Sequence, residues 1–161
     1  MPNGAQIHLA VNHLSVVGIL IGMLVVFGGF LFRQLSVRRA GLAIYLFSAL
    51  TLPMAYFSGE PAESIVEHKA GVTELLIHNH EESAEFSLIF MGLLFVATLV
   101  ALGLRKIKKE KYEDQVTGVA TMIAFMVLTI LLRTAHLGGM IRHDELRNEL
   151  GALSVETKKG Q

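Results

Sequence analysis

The residues of this chain best suited to chemistry are its seven histidines, and their spacing sends them all to one end of the molecule. His8 and His13 precede the first long apolar run, and His68, His78 and His80 lie between the second and third. His136 and His143 close the fourth. Imidazole is the commonest side-chain metal ligand and a frequent axial ligand of haem. Carboxylates crowd the same region: Glu60, Glu63, Glu67, Glu74, Glu81, Glu82 and Glu85 are half of the fourteen acids. There is no cysteine. That excludes a disulfide, thiolate zinc, a Cys-ligated iron–sulfur cluster and a covalently attached c-type haem. Any metal must be held by His, carboxylate, Met or backbone oxygen.

Four apolar runs have to carry these groups. They are Leu14 to Phe32, Ala40 to Phe57, Ala84 to Leu104 and Val116 to Met140, the last two broken only by Glu85 and by Arg133 and His136. A bilayer span needs roughly 20 apolar residues, and in lipid the backbone must satisfy its own hydrogen bonds. The expected fold is therefore all-α, an up-down four-helix membrane bundle forming a single domain over residues 1–161. Its transmembrane helices should cover about 14–32, 40–57, 84–104 and 116–141. Helical spacing of Val72, Leu75, Leu76, Asn79, Ser83 and Phe86 starts the third helix near Val72, above the membrane. Pro53 should loosen the end of the second. Residues 58–83 form an outer loop, and residues 144–161 an amphipathic tail at the headgroups. The first run has no basic segment before it and no A-x-A-like cleavage site, so it reads as a retained helix.

The first and third connections hold Arg33, Arg38, Arg39, Arg105, Lys106, Lys108, Lys109 and Lys111, eight of the fourteen basic residues. By the positive-inside rule these connections are cytoplasmic, so both termini and the histidines face outward, toward the periplasm of a bacterial inner membrane. Zero formal net charge gives no reason to expect nucleic-acid binding.

Three constellations follow from helical spacing. Arg133, His136, Met140 and His143 fall within roughly an 80° stripe of the fourth helix. An Arg within a span is costly, so this stripe is expected to face the bundle and Arg133 to meet a haem propionate or a Glu such as Glu85. The alternative is an Arg snorkelling outward. On the third helix His80, Ala84, Ser87 and Met91 share a face, with Glu74, His78, Glu81, Glu82 and Glu85 around it. On the first, His13 shares a face with Val17, Leu20, Leu24 and Phe27, while His8, Ser15, Gly18, Gly22 and Gly29 lie on another. Gly18-x-x-x-Gly22 suits close helix packing, and such a groove also leaves room for a flat macrocycle.

Several segments resemble a family of small four-helix bacterial membrane proteins known as a domain of unknown function (DUF2231). They are H8-L-A-V-N-H13-L-S-V-V-G, S58-G-E-P-A-E-S-I-V-E-H68, A70-G-V-T-E-L-L-I-H-N-H80-E-E and H136-L-G-G-M-I-R-H143. The chain departs from the family at Ser15, where Pro is common, and at His136, where Tyr or Asn is common. The resemblance implies the fold and the membrane location. It moves the ligand expectation toward His13, His68, His80 and His143. Fusion of some relatives to c-type cytochrome domains implies electron transfer near the outer face.

Three functions fit these residues. The first is a b-type cytochrome-like electron-transfer subunit, with haem b bound between helices by two of His13, His68, His80, His136 and His143 and with Arg133 as a propionate partner. The second is a non-haem copper, zinc or iron site built from His13, His80, His143, Glu67 and Glu81, with His8 and His78 as further donors. The third is an accessory subunit whose polar cap docks other membrane or periplasmic redox subunits, or a second copy in a homo-oligomer. Hydrolase motifs such as G-x-S-x-G and H-E-x-x-H are absent.

Overall fold

The computed structural model describes residues 4–59, 71–107 and 109–146, with the side chains of 4–9, 105, 106 and 110 left aside. Four helices account for nearly all of them: α1 (Gly4–Leu31), α2 (Leu35–Phe57), α3 (Glu74–Lys106) and α4 (Glu110–Arg142). Each contains a segment long and apolar enough to cross a bilayer. Among the described residues there is no strand.

Tight connections make two helical hairpins. Leu31 to Leu35 is closed by a C-terminal cap in which the amide of Gln34 donates to the Gly29 carbonyl at 2.8 Å and that of Arg33 to Phe30 at 3.2 Å. The residue that reverses the chain must adopt a left-handed backbone, usually as glycine, and here it is Arg33 at φ 54°. The most extensive interfaces lie within the hairpins, α1 on α2 and α3 on α4. The bundle closes where α2 packs along α3 and α1 along α4.

Small residues set the α1–α2 spacing. A Cβ on Gly22 would stand 2.7 Å from the Tyr45 ring, and one on Gly41 would stand 2.8 Å from the Val26 amide nitrogen. The glycine groove expected as packing surface or macrocycle space is thus filled by α2. Buried apolar side chains from all four helices form the core, including Ile19, Leu42, Tyr45, Met91, Leu94 and Leu131. The Tyr45 hydroxyl lies buried beside Thr121, short of hydrogen-bond geometry with any described residue.

Polarity is inverted relative to a water-soluble bundle. Leu24, Phe27, Leu50, Ile89, Val96, Met122 and Phe125 point outward, while Ser15, Ser48, Thr51, Ser83, Ser87, Thr98, Thr117 and Thr134 are buried. Apolar surface costs nothing against lipid, whereas small hydroxyl side chains allow close approach and find partners inside. Thr98 and Thr117, for example, donate to carbonyls one turn back at 2.7 and 2.8 Å.

The two ends of the bundle differ in chemistry. At the end with the short connections, here the basic end, Arg39 makes two bonds to Glu113, at 3.0 and 3.2 Å, and Arg38 pairs with Asp114. These contacts join α2 to α4, which run in the same direction. Arg38 also stacks over Phe30, 4.7 Å from the ring centre. The opposite end carries the described histidines. Arg133 and Glu85 are both exposed near it, and Asp114 is exposed at the basic end. Nineteen residues separate Asp114 from Arg133, about 29 Å of helix, close to the thickness of a bilayer hydrocarbon core. The exposed charges therefore bracket one membrane thickness, and α3 extends about three turns beyond Glu85.

Candidate functional site

His80 is the described histidine that turns toward the bundle interior. It sits on the α3 face shared with Ser83 and Ser87, both buried, so the face that groups His80, Ala84, Ser87 and Met91 is the one α3 presents to its neighbours. The ring lies against α4. Its Nδ1 is 3.0 Å from the main-chain carbonyl oxygen of Thr134, and a Cβ on Gly138 would approach Cε1 to 3.1 Å. A glycine one turn above Thr134 leaves the room that the imidazole takes.

That hydrogen bond fixes the chemistry of the ring. A carbonyl oxygen only accepts, so Nδ1 carries the proton. In the neutral imidazole Nε2 then carries the lone pair. A backbone carbonyl on Nδ1–H is a recurrent way to orient and strengthen a histidine that ligates through Nε2.

A buried hydroxyl cluster holds the α3–α4 register beneath His80. Thr134 Oγ1 lies 2.7 Å from Ser83 Oγ and 3.3 Å from Ser87 Oγ. It also lies 3.0 Å from the Ile130 carbonyl, and Ser87 Oγ donates to the Ser83 carbonyl at 2.9 Å. Beside this cluster is a cavity of about 20 Å³ that all four helices line, with Asn12 from α1, Ala55 and Tyr56 from α2, His80 and Ser87 from α3, and Thr134 from α4. Its size suits about one water molecule.

The other expected site residues are placed differently. His13 is exposed on the α1 face that also exposes Val17, Leu20, Leu24 and Phe27, while its neighbour Asn12 lines the cavity. His78, Glu74, Glu81, Glu82 and Glu85 are exposed around α3. The α4 stripe requires correction. Arg133, His136 and His143 are exposed, and only Met140 is half-buried, so the stripe does not face the bundle. The buried face of α4 is instead Ala120, Ala124, Val127, Leu131, Thr134 and Ile141. Small and hydroxyl side chains there admit α3, and a guanidinium does not. Arg133 sits at the level of Glu85, at the rim of the apolar zone, where snorkelling removes the cost of an intramembrane charge. His68 and Glu67 lie outside the described residues, as does the side chain of His8. Among the described residues no group of three His, Asp or Glu side chains comes together as a metal site.

Several residues of this site escaped the sequence reading: Asn12, Tyr56, Ser83 and Thr134 as cavity or cluster members, and Gly138 as the seat of His80. The usable signal was small and hydroxyl residues four apart within apolar runs, as in Ser83 and Ser87 or Thr134 and Gly138. The Arg39–Glu113 pair was also missed, its arginine having been counted only as an orientation signal. Comparison of the chain with protein-family models, with curated proteins and with solved structures finds no match.

Proposed function

We propose that this chain is a multi-pass protein of the bacterial cytoplasmic membrane, with its histidine end toward the periplasm, serving as a b-type cytochrome-like electron-transfer subunit. The observation that carries the reading is the His80 imidazole, turned inward at the junction of four helices with its proton committed to the Thr134 carbonyl. His80 would supply one axial ligand through Nε2. A bis-His haem needs one imidazole more, from the DUF2231-like segments; His13 and His143 are exposed and would have to turn toward the cavity, and His68 lies outside the described residues. Haem would supply one-electron redox chemistry, and the chain would supply the ligand, its orientation and the apolar surroundings. The orientation rests on the arginine and lysine residues of the two short connections.

A second reading is a non-haem metal ion, which asks for less room than a macrocycle, against a cavity wall that is almost wholly apolar. That reading needs at least two donors besides His80, from side chains such as His13 or Glu81.

One preparation separates these readings. Detergent-purified protein is examined by reduced-minus-oxidised difference spectroscopy and elemental analysis. B-type bands lost in His80→Ala and kept in His78→Ala would support the haem reading. Metal without porphyrin, again lost in His80→Ala, would transfer support to the second. Colourless, metal-free protein would refute both and leave the accessory role.

A further inference from the structure

We infer that the basic end of the bundle holds an anionic phospholipid: its phosphate is bound among Arg33, Lys109 and Lys111, and its acyl chains lie along Phe27, Leu31 and Tyr112. The zero formal net charge of the chain conceals a strong charge separation. The two short connections and the helix ends beside them hold eight Lys and Arg residues against three acids, Glu110, Glu113 and Asp114. That is an excess of five positive charges at one end, and the rest of the chain carries five negative ones. Glu113 and Asp114 are already engaged by Arg39 and Arg38. Arg33, Lys109 and Lys111 are exposed, and among the described residues none of them is within ion-pair distance of an acid. In the sequence Glu110 is outnumbered by the further cations Arg105, Lys106 and Lys108.

The ion pairs also set the depth of these cations. Arg38 meets Asp114, which stands at the edge of the hydrocarbon zone. Arg33 precedes Arg38 by five residues and Lys109 precedes Asp114 by five, so both stand about 7 Å beyond that edge. Headgroups occupy roughly 5–7 Å outside each face of the hydrocarbon core, which puts cations and lipid phosphates at one level. Below them Phe27 and Leu31 are exposed one turn apart on α1, and Tyr112 is exposed on α4. Lys109 Nζ lies 5.9 Å from the Tyr112 ring centre, a cation over an interfacial aromatic. A free anion would meet the cations alone, whereas a phospholipid meets the cations and the apolar surface together. A zwitterionic headgroup brings an ammonium of its own into the cationic cluster, so the cluster selects an anionic one. The inference rests on the four spans; neither the cofactor reading nor the side of the membrane that the basic end faces enters it.

The absence of tryptophan makes the test direct, because one introduced indole is the only one that reports. Phe27→Trp places it beside the proposed site, and Met54→Trp places it near the histidine end; both positions are exposed. Each protein is reconstituted in phosphatidylcholine bilayers containing phosphatidylglycerol, with one lipid or the other brominated in its acyl chains. Quenching of the indole by the brominated species gives the affinity of the anionic lipid relative to the zwitterionic one at that position. Each Lys or Arg near the surface strengthens attraction of an anionic lipid about fivefold, so a relative affinity of about 5 or more is expected at Phe27→Trp. At Met54→Trp it should be about 1 or less. Adding Arg33→Gln, Lys109→Gln and Lys111→Gln together to Phe27→Trp should bring the ratio down to about 1. Equal ratios at the two positions, or a preference that survives the triple replacement, would overturn the assignment. The comparison of the two tryptophan positions decides the matter if the triple variant does not fold. A preference abolished by excess inorganic phosphate, but not by chloride at equal ionic strength, would make phosphate alone the ligand and overturn the lipid.

Discussion

Glu113 and Asp114 are adjacent carboxylates, each paired with an arginine of α2, yet they should differ severalfold in their effect on stability. Both oxygens of Glu113 are bonded to Arg39, at 3.0 and 3.2 Å, and the Glu113 side chain is 2% exposed. Asp114 is 51% exposed beside Arg38. Removing one member of a buried pair costs about 3–5 kcal/mol, because the other charge is left without its partner. Arg39 remains 25% exposed at the bundle end. Water can therefore reach part of it, and we discount the cost of Glu113→Ala to about 2–3 kcal/mol. An exposed pair contributes about 0.2–1 kcal/mol, which bounds Asp114→Ala. Reversible unfolding in mixed detergent micelles, followed by helical circular dichroism, gives both differences. The paired replacement Arg39→Met with Glu113→Leu should recover most of the loss, since an apolar pair carries no desolvation penalty. Single-variant losses for Glu113→Ala and Asp114→Ala that agree within about 0.5 kcal/mol would refute the reasoning, because burial would then not govern these two pairs.

Other expectations follow from single positions. Arg33→Gly should raise stability by about 0.5–1 kcal/mol in the same unfolding assay, because φ 54° is strained for a side chain and free for glycine. Gly22→Ala should cost about 1–3 kcal/mol through its clash with the Tyr45 ring, whereas Gly92→Ala, which meets nothing within 4 Å, should be neutral or stabilising. Thr134→Val should lose about 1–2 kcal/mol by breaking the hydroxyl cluster with Ser83 and Ser87. It should leave any His80-dependent absorption band in place, since His80 bonds the main-chain carbonyl. In intact cells, cysteine at Asp144 should react with a membrane-impermeant maleimide and cysteine at Lys109 only after permeabilisation; the opposite pattern would invert the proposed orientation.

The four helices were legible because an apolar run of roughly 20 residues has few stable alternatives in lipid. Their ends were read less well. α2 begins at Leu35 and not near Ala40, because Arg38 and Arg39 are accommodated inside the helix by acids of α4. Conversely, α3 rises above the apolar zone from Glu74, close to the start expected from the spacing of Leu75, Leu76 and Asn79.

The sequence by itself determined which residues form helices and that the described histidines gather at one end, since both depend on local hydropathy and on threading. Tertiary structure alone decided which of those histidines turns inward. Rotation of a helix about its axis is set by what its neighbours can accept. Glycines of α1 admit the Tyr45 ring and the α2 backbone, hydroxyls and alanines of α4 admit α3, and Gly138 admits the His80 ring. Charge spacing on α4 pointed to Arg133, His136 and His143 as the inner stripe. Packing turned the face carrying Thr134 inward in their place, because close helix contact selects small side chains, and charged side chains keep their hydration at the rim.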